Sequence, residues 1–272
     1  NIDDNEFLKR STKHYTTPLL PDLLPENNQT PHHVVSTSGN LVSLAIRQSD
    51  LSDHHAKQLL RYAFVHYAKV GFINEKVAAE SLLHHEAISS LHKDDIHIVV
   101  LDKTLGKLMA YSTLKAMPNS DQAFSNLDRK LYSVENAFGR HTFSEIEDLK
   151  ALKVSQIREI GRVVKSQLED KVISSRVGLL LVHSYFELIN HPDSGIKAMI
   201  GDGEKNVTLA NLNMFGFNPI VIQGSNVQIE KNHIFSSRYD GRNVSPFWFL
   251  NTNINLDKVK RAKMILELSD RE

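Results

Sequence analysis

Residues 154–165 read VSQIREIGRVVK, and the whole chain is interpreted outward from them. The β-branched content predicts a strand, yet the apolar residues fall at 157, 160, 163 and 164 and break strict alternation. In a regular strand, residues 159 and 162 face opposite sides. A bulge at Gly161 reconciles both observations, because one extra residue changes which side the following residues face.

Downstream, Ser174 or Ser175 begins a helix that runs to about Asn190 and is stopped by Pro192. Val177, Leu180, Leu181, Tyr185 and Leu188 form one stripe of it, and Leu179, Val182, Phe186 and Ile189 cover much of the rest. A helix apolar nearly all round is buried on both sides. A short strand at 196–201, a short helix at 207–215 ended by Gly216 and a strand at 217–223 follow. Strand-like 227–235 and 246–250 and an amphipathic helix at 256–268 complete the tail.

Upstream, residues 40–47 form a first strand. A helix capped by Ser52 or Asp53 carries Leu59, Leu60, Ala63, Phe64 and Tyr67 at helical spacing and stops near Gly71. A second helical run covers roughly 75–91. Residues 96–101 and 107–115 pair as an antiparallel hairpin, and 117–150 form a charged, irregular insertion. The chain divides into an N-terminal arm packing on the core (1–39), a core (40–225) and a C-terminal extension with strands and a helix (226–272). Helices interleaved with a mixed sheet make the class α/β (α+β mixed).

Composition narrows the chemistry. The 272 residues hold 32 Lys+Arg against 32 Asp+Glu and no cysteine, with 41% hydrophobic and 24% charged. This is a folded chain without the basic surplus that nucleic-acid binding requires. Disulfides, thiolate metal sites and a cysteine acyl-enzyme are excluded. The first thirty residues lack an apolar run of signal length, and VGLLLV at 177–182 is far short of a membrane span. A cytoplasmic, reducing location is expected. The neutral total hides a local surplus, with six basic residues to three acidic between 153 and 176.

The order of elements, with Gly216-Phe217 closing a short helix into a strand, resembles the GNAT acyltransferase superfamily over residues 40–225. The resemblance implies a central mixed, mostly antiparallel sheet with splayed fourth and fifth strands and helices on both faces. Glu159-Ile160-Gly161-Arg162 on the fourth strand is similar to the Glu-x-x-Arg of acyl-homoserine-lactone autoinducer synthases and of long-chain N-acyl amino acid synthases. The stretch from Tyr62-Ala63-Phe64 to Gly71-Phe72 resembles the first helix of those synthases.

Three departures shape what is implied. Where coenzyme A users carry Arg/Gln-x-x-Gly-x-Gly/Ala, this chain has Ile173-Ser174-Ser175-Arg176-Val177-Gly178, and only Gly178 matches. The superfamily's tyrosine acid is replaced by Leu212. The third-strand arginine of the autoinducer synthases is missing from 107–112, which points to a divergent N-acyltransferase.

The implied reaction moves an acyl group from an acyl-CoA or acyl-carrier-protein thioester to the amine of a small molecule, by direct attack and without a metal. Acetylation of a protein or amino-sugar amine is one alternative. A catalytically inactive module that binds acyl-CoA or a partner is another. Glu159 is the candidate general base, acting directly or through a water, with its pKa raised by apolar neighbours, and Arg162 accompanies it. The competing reading pairs Glu159 with Arg162 or Arg158 in an ion pair that orients the strand. The phosphopantetheine donor falls to Gly161, Val163, Val164 and Lys165, and its pyrophosphate to Ser174, Ser175, Arg176 and Gly178. Phe64, Phe72, Met109 and Phe215 line an acyl tunnel or are simply core. The histidine pairs 32/33, 54/55 and 84/85 are solvated, and His85-Glu86 lacks the second His of a zinc-protease helix. Asp202-Gly203-Glu204 is a turn within reach of an amine.

Overall fold

In chain order the elements are α1 (Asp4–Thr12), β1 (His33–Ser38), β2 (Leu41–Arg47), α2 (Asp53–Lys69), α3 (Glu75–Ser81), β3 (Ile96–Asp102), β4 (Leu108–Lys115), α4 (Ser133–Phe138) and α5 (Glu147–Lys150). They continue with β5 (Ile157–Lys165), α6 (Lys171–Ile189), β6 (Ala198–Glu204), α7 (Ala210–Phe215), β7 (Ile220–Val221), α8 (Ser236–Tyr239), β8 (Val244–Leu250) and α9 (Leu256–Leu268). The structure is a computed structural model that describes residues 4–27, 33–118 and 121–268.

The strands form one sheet in the order β1-β2-β3-β4-β5-β6-β8-β7. Every pairing is antiparallel except β5 with β6. That parallel pairing lasts only from Ile157↔Ala198 to Glu159↔Ile200, after which the two strands part. This is the splay expected between the fourth and fifth strands. Residues 33–38, placed in the arm by their composition, form β1 and pair with β2.

The bulge is present one residue later than expected. Thr113 pairs with Gly161 and Tyr111 with Val164, so Arg162 and Val163 together oppose Ser112. Arg162 takes the left-handed conformation at φ 51. Gly161 stays in the ladder, its carbonyl accepting from Ser112 Oγ at 2.9 Å. A Cβ on Gly161 would meet Thr113 Oγ1 at 3.4 Å, an ordinary contact, and it is the arginine that bears the strained backbone.

Four other local readings are corrected. The run at 75–91 ends as a helix at Ser81, where Leu82 turns left-handed at φ 50. Helix α6 starts at Lys171, because Asp170 caps it: Oδ1 accepts from the Val172 and Ile173 N–H groups at 2.9 and 3.2 Å. The segment 217–223 contributes only Ile220–Val221 to the sheet. Residues 227–235 form an irregular strap instead of a strand, since their backbone bonds elsewhere: Gln228 N–H to Ala137 O and Asn74 N–H to Ile234 O, both at 2.7 Å.

Burial follows the alternation of the strands. One face packs under α6, α7 and α9, with Ala110, Leu114, Ile160, Met199, Phe247 and Phe249 pointing to them. Helix α6 is long and apolar enough by composition to cross a membrane, but here it lies between the sheet and α7 and α9. The other face has two covers. Helix α2 and Leu20, Leu23 and Leu24 cover β2–β4 and Val164, while the insertion around Phe124, Tyr132, Phe143 and Leu149 covers Ile157, β6 and β8. The two covers meet over the middle of β5, and the seam between them stays open.

Candidate active site

That seam is a cavity of about 540 Å³. Its floor is Lys115 of β4, the run Glu159–Ile160–Gly161–Arg162 of β5, and Asp202 of the parted strand β6. Tyr67 and Glu86 form one wall, and Ser133, Val134 and Asn136 at α4 form the other. The strap closes it with Gln228, Glu230, His233 and Phe235, and α8 with Arg238 and Tyr239. The bulge brings Glu159 and Arg162 to this one cavity.

Glu159 is buried and makes no ion pair with Arg162 or Arg158, contrary to the competing expectation. Its carboxyl accepts from Ser133 N–H at 3.2 Å and from Val134 N–H at 2.7 Å. Burial pushes its pKa up to about 7, against the opposing pull of Lys115 and the Val134 amide. Arg162 instead forks onto Glu86, with Nε–Oε1 at 2.9 Å and Nη2–Oε2 at 3.0 Å, and donates to Thr113 Oγ1 at 3.2 Å. Burial opposes both charges, but each outweighs that for the other, so Arg162 shifts up and Glu86 down. Arg158 donates to Asp94 O at 2.6 Å.

Asp202 is likewise matched, by Arg238 Nη1 and by Tyr239 OH at 2.6 Å. Lys115 differs: Nζ donates to Ser133 Oγ at 3.1 Å, and among the described residues it has no carboxylate partner. The cavity therefore holds two satisfied ion pairs, the Glu159 carboxyl and the Lys115 ammonium, with Glu230 and His233 of the strap completing its charged and titratable lining. A carboxyl close to pH 7 can accept a proton from an amine and release it again.

The other predicted residues lie in separate places. Gly161 lines the cavity, Val163 is exposed and Val164 is core under α2. Lys165 Nζ donates to Ser174 O at 3.2 Å and lies 3.6 Å from where a Gly178 Cβ would be. Ser174, Ser175, Arg176 and Gly178 lie inside the first turns of α6 and not at its start. The start itself is taken by the Asp170 carboxylate, with Val172 exposed beside it. No glycine opens the α6 start to a pyrophosphate.

The four proposed tunnel residues are not brought together. Phe64 packs with Phe7, Ile73 and Ala78, while Met109 and Phe215 belong to the α6 core. Phe72 lies under the Arg242 guanidinium at 4.6 Å. None of the four lines the cavity.

The histidine pairs make local bonds: His55 meets Asp22 at 2.7 Å, and His84 Nδ1 meets Ser11 Oγ at 2.7 Å. His32 lies outside the described residues. Among the described residues no group of three or more His, Asp and Glu could hold a metal ion. Sequence reasoning missed Glu86, Lys115, Arg238 and the role of Tyr67. Only Asp202 carried a signal; expected as a turn, residues 202–204 instead continue β6, because they pair with Pro246, Ser245 and Val244 of β8.

No protein-family profile matches the sequence, and no curated protein does. Solved structures do match. TofI in its apo form is similar at a TM-score of 0.50 and 16% identity, covering 80% of this chain and 95% of that one. The AHL synthase LasI is similar at a TM-score of 0.52 and 8% identity, covering 78% and 91%. The chain has the GNAT fold, the architecture shared with these structures.

Proposed function

We propose that the protein is a GNAT-fold N-acyltransferase that moves an acyl group from a thioester to the amine of a small molecule. The observation that carries this is Glu159, a buried carboxyl at about pKa 7 that faces the cavity where β5 and β6 part. It takes the proton from the attacking nitrogen and returns it to the departing thiolate, so no other acid is required at the position of Leu212. Arg162 and Glu86 hold the bulged strand in place as a matched pair. The unmatched Lys115 ammonium beside Glu159 supports an acceptor that carries an anionic group next to its amine, as an amino acid does.

The donor is an acyl-CoA or an acyl-phosphopantetheine on a carrier protein. The Asp170 cap at the head of α6 favours the carrier-borne form, because a carboxylate there repels a pyrophosphate. The reading carries with it a cytoplasmic location.

A second reading is a module that binds acyl thioesters without turnover. It is favoured by the engagement of both Glu159 oxygens with the start of α4. Incubation with acyl-CoA species of graded length and an amine mixture separates the two, with bound ligand and free thiol read by mass spectrometry. Thiol release that is lost in Glu159→Gln is the expected result. Binding without release, unchanged in Glu159→Gln, would select the module.

A further inference from the structure

We propose that the Tyr67 hydroxyl donates a hydrogen bond to the thioester carbonyl oxygen and carries the negative charge that develops there during acyl transfer. This rests on the acyltransferase reading above. The starting point is an unbalanced inventory of hydroxyls. Of the seven tyrosines, five bond within the protein: Tyr62 to Ser166, Tyr111 to His97, Tyr132 to Ile157 O, Tyr185 to Ser112 and Tyr239 to Asp202. Tyr15 is unpartnered too, but it is outside the cavity with Arg61 over its ring. Tyr67 lines the cavity, and among the described residues nothing accepts from or donates to its hydroxyl. Unlike the Tyr15 hydroxyl, it is not sealed in the interior: Tyr67 is half-buried and opens to the cavity, where an entering carbonyl oxygen can accept from it.

The side chain is held as a donor at a fixed point needs to be. Its ring is clamped between Phe72, with centroids 5.7 Å apart, and Phe235, edge-on at 5.7 Å. Arg238, Glu86, Arg162 and Asp202 all act on it, but those four are already matched in two ion pairs. The hydroxyl is the uncommitted donor between them. Burial, partly offset by Arg238, pushes its pKa up to about 12. It therefore keeps its proton while amines are acylated, and a thiolate of pKa about 8.5 does not take that proton from it. Its part is to donate a hydrogen bond, with the proton shuttle left to Glu159.

The step balances on that division. The amine lone pair forms the C–N bond, and the C=O π pair moves onto oxygen, where the Tyr67 O–H meets it. The pair returns, the C–S bond breaks, and the thiolate leaves with its electrons. The proton lost by nitrogen passes to Glu159 and then to sulfur.

Tyr67→Phe tests the assignment, because it keeps the ring and its packing. Two readouts are used: kcat and KM for thiol release from acyl-CoA in the presence of an amine mixture, and the infrared stretch of a 13C-labelled carbonyl in acyl-CoA bound without amine. The expected result is a fall in kcat of about 10²- to 10³-fold with KM nearly unchanged. The carbonyl band, shifted to lower wavenumber in the wild type, returns towards its position in water. A variant kcat within about threefold of wild type, or a carbonyl band that does not move between the two proteins, overturns the assignment. Wild-type protein that neither binds nor cleaves acyl-CoA or an acyl-pantetheine overturns the acyltransferase reading itself, and that failure is visible without the variant.

Discussion

Two buried glutamates meet the same end of the same short helix, and they are not equivalent. Glu135, in the first turn of α4, reaches back to Tyr132 N–H at 3.0 Å. It is also gripped by Arg129, with Nη1–Oε1 at 2.7 Å and Nη2–Oε2 at 2.8 Å, and that guanidinium sits over Phe124 at 4.2 Å. Glu159 reaches the next two amides of the helix from β5 and has no guanidinium at all. Arg158 and Arg162, its two neighbours in sequence, are committed to Asp94 and Glu86. Both carboxyls are desolvated and both accept backbone N–H bonds. What separates the two carboxyls here is the guanidinium that grips Glu135 and has no counterpart on Glu159; on the proposed reading that difference leaves Glu159 free to exchange a proton.

The sharpest way to break this contrast is Arg129→Met, which leaves Glu135 buried and unmatched. A loss of about 3–5 kcal/mol in denaturant unfolding is expected. A loss under about 1 kcal/mol would mean that the Arg129 pair is not what makes Glu135 structural. Glu159→Gln probes the other member: thiol release falls about 10²- to 10⁴-fold, while stability at pH 7 changes by only about 1 kcal/mol.

The third test is pH. A carboxyl raised from 4.5 to about 7 on folding supplies stability that is fully present below pH 4.5 and lost as the pH rises through about 7. A decline on the order of 3 kcal/mol across that window is expected in wild type, and a flatter profile in Glu159→Gln. Turnover moves the opposite way, rising across pH 7 as the base form appears. The smallest effect belongs to the exposed carboxylate at a helix start. Asp170→Ala loses its two N–H bonds, lowers stability by about 1 kcal/mol, and improves acyl-CoA affinity if the cap opposes the pyrophosphate. A change near the size of the Arg129 effect would place Asp170 among the structural acids.

The sheet was legible in the sequence because strands β2 to β5 state their own period, and the failure of alternation around Gly161 already required a bulge. Its position was not legible. A glycine is the obvious residue for a left-handed backbone, yet Arg162 takes it while Gly161 stays in the ladder opposite Thr113. Glu159 could be named from its spacing. Its lack of a guanidinium partner could not, since that depends on Arg162 finding Glu86, 76 residues away in sequence. Tyr67 hid in the apolar stripe of α2, where its ring belongs and its hydroxyl does not. The strap at 227–235 alternates like a strand, but the place beside β6 belongs to β8.

That placement of β8 has a consequence for how the chain comes into being. Among the described residues the last strand, β8, is an interior strand of the sheet, and α8 with Arg238 and Tyr239 lies just before it. While the chain is being synthesised, β1 to β6 can assemble early, but one edge of β6 stays bare and the cavity has no roof. Asp202 then faces water without its two partners. Only when about residue 250 has emerged do the sheet close and the pocket form, so the scaffold exists before the site does.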